Sequence, residues 1–173
     1  TSITDPNSVI TTLAYNERNW LTTITVNPGA AVTTIAYDAK GQITRVTEPD
    51  GSYLNYSYDA ASRVTVVANN TGERVEFGYN LNSDVTASTI KTTSGGSITK
   101  QMTMTYDELG RLLKSIGASS QETLFSYDRT DLNTQVKDPR NNLYGFAYDS
   151  LTRLIRTTDE EAAEVNVTRN GQD

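Results

Sequence analysis

Tyr106-Asp107-Glu108-Leu109-Gly110-Arg111-Leu112 contains the end of one strand, a turn and the start of another. Aspartate first and glycine fourth is the preference of a type I turn, in which the carboxylate accepts from backbone N–H groups two or three residues on. Asp38-Ala39-Lys40-Gly41 has the same form, so Gly41 and Gly110 take equivalent places. Upstream of the tyrosine the apolar residues alternate, as in Leu54, Tyr56, Tyr58 and in Val75, Phe77, Tyr79. Period two, with β-branched residues and threonine throughout, reads as strand.

The motif recurs. Tyr15-Asn16, Tyr37-Asp38, Tyr58-Asp59, Tyr79-Asn80, Tyr106-Asp107, Tyr127-Asp128 and Tyr148-Asp149 follow one another at spacings of 22, 21, 21, 27, 21 and 21 residues. A degenerate mark falls at Arg169-Asn170. Two residues before the marks stand Ile35, Tyr56, Phe77, Met104, Phe125 and Phe146; six after them stand Leu21, Ile43, Val64, Val85, Leu112, Asn133 and Leu154. Only Asn133 breaks that second row. A further turn lies between marks, as Asn27-Pro28-Gly29, Glu48-Pro49-Asp50-Gly51, Asn70-Thr71-Gly72 and Asp138-Pro139-Arg140-Asn141. Pro49 and Pro139 preset φ there, while Gly51 supplies the left-handed residue that closes a bulged hairpin. Two reversals per repeat make an antiparallel meander. A parallel β-helix enzyme does not fit that pattern, and the odd–even alternation of a propeller blade is absent. The expected architecture is therefore all-β, residues 1–173 forming one sheet domain of about seven repeats. The 27-residue repeat carries Ile90 to Lys100 around Gly95-Gly96, which predicts a longer hairpin at about 88–101.

Composition narrows the chemistry. The 173 residues include no cysteine and no histidine, and the net charge is −6. Disulfides, His-based triads and cysteine nucleophiles are excluded, as are the usual ligands of zinc, copper and haem. No cofactor is expected. Acidic balance and scattered cations argue against nucleic acid. No run approaches the roughly 18 apolar residues of a membrane span. The N-terminus lacks a basic flank, an apolar signal region and an initiator methionine, so the chain reads as a piece of something longer.

Tyr106 to Leu112, the related Tyr58-Asp59-Ala60-Ala61-Ser62-Arg63-Val64 and the turn at Glu48 to Gly51 together resemble the RHS/YD-repeat family, from about Tyr15 to Val167. The pattern departs at Asn19, Ser62, Ser83, Asp131 and Thr152, where the family has glycine. The resemblance implies a twisted, curled antiparallel sheet, part of a spiral shell in large bacterial secreted or cell-surface proteins. Such a shell encloses a C-terminal toxin domain, so the rest of the parent shell and its cargo are the implied partners. Related animal proteins act in adhesion, and older descriptions mention carbohydrate binding, which leaves a glycan- or protein-binding module as the alternative. No stretch matches the family's self-cleaving core.

Asp38, Asp59, Asp107, Asp128 and Asp149, with Asn16 and Asn80, should line one rim two strands apart, about 10 Å. That exceeds the roughly 5–9.5 Å of glycosidase carboxylate pairs and the reach of a shared Ca²⁺. Asparagine at two marks keeps an acceptor but drops the charge, which suits a turn. The aromatic rows could present a glycan platform, but cross-strand packing is the plainer role. Trp20 reads as a filler beside Leu21. Sequons at Asn55, Asn69 and Asn166 are expected from composition alone. Open strands at both ends predict edge-to-edge pairing with a second copy, or capping by the tails.

Overall fold

The computed structural model describes residues 1–92 and 97–167; the Gly95-Gly96 turn and the degenerate Arg169-Asn170 mark lie outside the described residues. The chain divides into two units, Thr1–Gly78 with Thr89–Thr99, and Tyr79–Ser88 with Lys100–Asp173. The strands are β1 (Ser2–Thr4), β2 (Ile10–Tyr15), β3 (Leu21–Val26), β4 (Ala31–Tyr37), β5 (Ile43–Thr47), β6 (Tyr53–Tyr58), β7 (Val64–Asn69) and β8 (Arg74–Tyr79). They continue as β9 (Val85–Lys91), β10 (Ile98–Tyr106), β11 (Leu112–Gly117), β12 (Glu122–Tyr127), β13 (Asn133–Lys137), β14 (Leu143–Tyr148), β15 (Leu154–Thr158) and β16 (Glu164–Asn166). Within each unit sheet order follows chain order, and the described pairings are all antiparallel. The fold is the all-β tandem hairpin sheet that the tyrosine marks predict.

Nearly every reversal has one geometry. Asp38 N–H donates to the Gln42 carbonyl at 2.9 Å, and Gly41 N–H donates to the Asp38 carbonyl at 3.2 Å. The same pair of bonds closes Glu48 to Ser52, on the opposite rim, and Asp149 to Arg153. This is a type I turn closed by a left-handed fourth residue. Glycine fills that place at Gly41, Gly51, Gly72 and Gly110, with φ between 79° and 88°. Asn19, Ser62, Ser83, Asp131 and Thr152 adopt it too, at φ 59° to 73°, as do Ser8, Ser120, Asn141 and Ala162. Loss of glycine therefore leaves the turn intact and strains the backbone instead. Among the described reversals only the β3–β4 connection differs, folding as a single helical turn, α1 (Asn27–Ala30), with Asn27 at φ 49° and Gly29 at φ 86°.

Six of the described marks also carry a bulge. Ala36 pairs with Arg45 but Tyr37 pairs with Ile43, so Thr44 is the extra residue. The shift recurs at Tyr15, Tyr58, Tyr106, Tyr127 and Tyr148. Extra threonines turn their hydroxyls back to the ladder: Thr22 Oγ1 donates to the Ala14 carbonyl and Thr134 Oγ1 to that of Ser126, both at 3.3 Å.

Packing is lateral. Among the described residues none is fully buried. In the first unit one face carries the rows Leu13–Ile24–Thr33, Ile35–Val46–Leu54 and Tyr56–Val67–Val75. The other carries Ala14–Thr23–Thr34–Thr47–Tyr53 and Ala36–Arg45–Asn55–Ala68–Arg74. In the second unit Phe125, Val136 and Tyr144 form a similar apolar row. Each such neighbour pair contributes about 0.2–1 kcal/mol, so cohesion grows strand by strand.

Candidate functional site

The marks form a rim of hydrogen-bonded turns. Asp38 Oδ1 accepts from Lys40 N–H at 2.8 Å and Gln42 N–H at 2.9 Å. Asp107 Oδ1 accepts from the N–H groups of Leu109 and Arg111, both at 2.9 Å. Asp128 and Asp149 repeat the arrangement, and Asp59 accepts from Arg63 N–H. The carboxylate thus reaches the N–H groups two and four residues on, not two or three. The third is taken by the mark's own carbonyl. Asn16 and Asn80 use their amide oxygens identically, toward Arg18 and Trp20 and toward Asn82 and Asp84. Charge is dispensable to this bond.

The second carboxylate oxygen meets a partner four residues on. Arg63 Nε donates to Asp59 Oδ2 at 2.7 Å, Arg111 Nε to Asp107 at 2.6 Å and Arg153 Nε to Asp149 at 2.8 Å. Asn80 Nδ2 donates to Asp84 at 2.8 Å, and Asn69 Nδ2 to Glu73 at 2.9 Å, with the polarity reversed. Backbone N–H donation from the residue four on, chiefly, holds the Asp59, Asp107 and Asp149 carboxyls below their usual range; the arginine partners add to it. Asp128 is lowered first by the Thr130 hydroxyl, and Asp50, in the other rim, by that of Ser52.

The tyrosines tie each hairpin to the one before it. Tyr37 Oη donates to the Leu21 carbonyl at 2.7 Å, Tyr58 to Ile43 at 2.8 Å and Tyr106 to Val85 at 2.8 Å. Tyr127 donates to Leu112 at 3.0 Å and Tyr148 to Asn133 at 2.9 Å. These acceptors are the row six residues after each mark. The β3–β4 ladder ends at Thr23–Thr34, leaving the Leu21 carbonyl beyond its last pair, and the hydroxyl from the next mark fills the gap. Tyr15 ends β2 and is 48% exposed, and Tyr79 ends β8. Burial pushes the Tyr58 and Tyr106 phenols up.

Other side chains link adjacent turns. Arg111 Nη1 donates to the Asp128 carbonyl at 3.1 Å and to Asp131 Oδ1 at 2.9 Å, and its guanidinium lies 5.0 Å from the Tyr127 ring centre. Arg18 Nη1 reaches the Ala39 carbonyl at 2.9 Å, and Gln42 Nε2 the Ser62 carbonyl at 3.4 Å. Trp20 lies against Tyr37, ring centres 5.3 Å apart, and crowds Gly41, where an added Cβ would meet its Cζ2 at 2.8 Å. Pro49 and Pro139 occupy the second position of their turns, and nothing lies within 4 Å of a Cβ placed on Gly51. Sequence reasoning missed these links, although aspartate at a mark with arginine four residues later is visible at three repeats. Asn133 Oδ1 is the one buried side-chain polar atom without a partner among the described residues.

Comparison with known proteins agrees with this geometry. The RHS Repeat family model matches residues 37–74. The Photorhabdus luminescens Tc holotoxin pore is similar to the chain at a TM-score of 0.74 and 14% identity, over 91% of this chain and 9% of that one. The TcdB2–TccC3–TEV crystal structure gives 0.72 at 14% identity over 87% and 9%, and TcdB2–TccC3 without its hypervariable C-terminal region gives 0.63 at 13% over 91% and 11%. At such identities the likeness is one of fold, and the chain spans about a tenth of these structures' length. No curated protein matches the chain. The stretch that matches the RHS Repeat family model covers the marks at Tyr37 and Tyr58, and the register of those marks recurs at the marks on either side.

Proposed function

We propose that the chain is a non-catalytic wall segment of an RHS-type shell in a secreted or cell-surface bacterial protein, and that the shell encloses a C-terminal toxin domain. The tyrosine ties carry this reading. Each hairpin completes the hydrogen bonding of its predecessor, so repeats gain stability from being continuous with their neighbours, as a wall requires. The fold shared with Tc toxin assemblies supports it, one of them described without a hypervariable C-terminal region. Each aspartate of the marks is committed to its own turn, which favours a structural role for Asp38, Asp59, Asp107, Asp128 and Asp149 over acid–base work. A glycan platform has less support, because mark hydroxyls already donate to the backbone.

Limited proteolysis of the protein in which these repeats precede a C-terminal segment tests the proposal. That segment should resist protease while the repeats are intact and be cut once a hairpin such as 43–58 is deleted. Equal cleavage in both proteins would rule out enclosure.

A further inference from the structure

In the second unit four mark turns stand side by side on one rim, at 80–83, 107–110, 128–131 and 149–152. Each is fixed to the one before it. Tyr106 reaches the Val85 carbonyl at 2.8 Å, and a Cβ on Gly110 would lie 3.9 Å from Asp84 Oδ1. Arg111 bridges to Asp128 and Asp131, and Tyr148 reaches Asn133. Three of the four turns carry leucine at the tip. Leu81, Leu109 and Leu151 are 103%, 72% and 66% exposed, the highest values for large apolar side chains among the described residues. The turn does not need them. Leu109 and Leu151 serve their aspartates through backbone N–H groups, as Lys40 and Thr130 do in the same place of other turns. The first unit's mark turns hold Arg18, Lys40 and Ala61 there. Single apolar residues on a surface are ordinary, but a row of them confined to one rim marks a contact.

We infer that this row docks a basic amphipathic α-helix of a partner protein, laid across the four turns. Spacing supports a helix. Mark turns recur every second strand, about 10 Å apart, and seven helical residues advance about 10.5 Å. A helix along the rim therefore turns the same face to each leucine, one heptad per turn, with Arg129 in the third place of the row. Charge supports a basic helix. The four turns, each with the residue after it, hold six carboxylates and three arginines, and Arg111 and Arg153 are already paired with Asp107 and Asp149. Lysines flanking an apolar stripe would meet that acidic excess. A phospholipid surface would take up the leucines but leave the carboxylates unanswered. Docking on the rim leaves both sheet faces free, so the inference does not depend on the shell reading.

Fluorescence anisotropy of a labelled synthetic helix of roughly four heptads, with one leucine stripe flanked by lysines, tests the inference on the whole chain. The helix should bind at micromolar concentration. Joint replacement Leu81→Ser, Leu109→Ser and Leu151→Ser should weaken binding roughly tenfold or more with an unchanged thermal melt, because these side chains lie largely in solvent. Leu81→Ser alone should weaken it several-fold, which serves if the triple variant fails to fold. Ile3→Ser, exposed in the first unit, should leave affinity unaltered. A peptide with the stripe scrambled, and one with glutamate for lysine, should not bind. Absence of binding, equal binding of the scrambled peptide, or affinity that survives loss of the leucines would overturn the inference. Flotation with phosphatidylcholine vesicles that is lost in the triple variant would assign the row to a lipid surface and overturn it as well.

Discussion

At the scale of single residues, one left-handed position is filled by very different side chains, and strain differs accordingly. Thr152 is β-branched and held at φ 63°, while its turn needs only the N–H bond to Asp149. Thr152→Gly keeps that bond and releases the strain; against the entropy of an added glycine, the net stabilisation should be about 0.5–1 kcal/mol in chemical denaturation. The reverse changes separate strain from contact. Gly51→Ala meets open space and should cost about 1 kcal/mol, whereas Gly41→Ala also drives a methyl into the Trp20 ring and should cost about 1–3 kcal/mol more. Equal losses would mean that Trp20 does not rest on that turn. Asn133 is the remaining anomaly. Its carbonyl serves Tyr148, but its side-chain oxygen has no partner in a row that is elsewhere apolar. Asn133→Leu should stabilise the fold by about 1 kcal/mol while leaving the Tyr148 bond in place. The sequence exposed that break, but only the coordinates show which atom of Asn133 is left over.

At the scale of the hairpin, strands, rims and order were legible because period-two patterning and turn chemistry are local properties. The bulge, the i,i+4 pairs and the tyrosine ties were not. A spacing of 21 residues says that Tyr58 recurs, not that its hydroxyl reaches past the end of the Arg45–Asn55 ladder to the Ile43 carbonyl. That bond depends on how far the paired strands extend, which is a consequence of the bulge. Tyr58→Phe and Tyr127→Phe remove the donor and keep the ring. Each should lower unfolding free energy by about 1 kcal/mol, more than Tyr144→Phe, whose hydroxyl bonds the side chains of the exposed Glu160 and of Asn142. A Tyr144→Phe loss as large as the others would show that ring packing, not the backbone tie, holds successive hairpins together.

At the scale of the whole molecule, a sheet with no fully buried residue among those described must draw stability from many small, similar terms, and its response to pH should show them acting together. The carboxyls of Asp50, Asp59, Asp107, Asp128 and Asp149 lie below the ordinary value of 3.8, so the unfolded chain binds protons that the folded chain still refuses. Their contribution is complete above that ordinary value and is lost as pH falls below it through the depressed folded values. The phenols of Tyr58 and Tyr106 lie above the ordinary 10.0, so their contribution is complete below it and is lost as pH rises through the raised values. Thermal melting should therefore hold a plateau between about pH 5 and about pH 9 and fall away on both sides. The triple variant Asp59→Asn, Asp107→Asn, Asp149→Asn separates the causes. Asn16 and Asn80 show that an amide oxygen closes the same turn, so the variant should fold with a lower plateau for want of its arginine pairs. Its acid limb should be shallower than that of the unaltered chain, with the alkaline limb unchanged. An acid limb of undiminished slope would mean that other carboxylates, Glu76 between Arg74 and Lys91 first among them, govern acid unfolding.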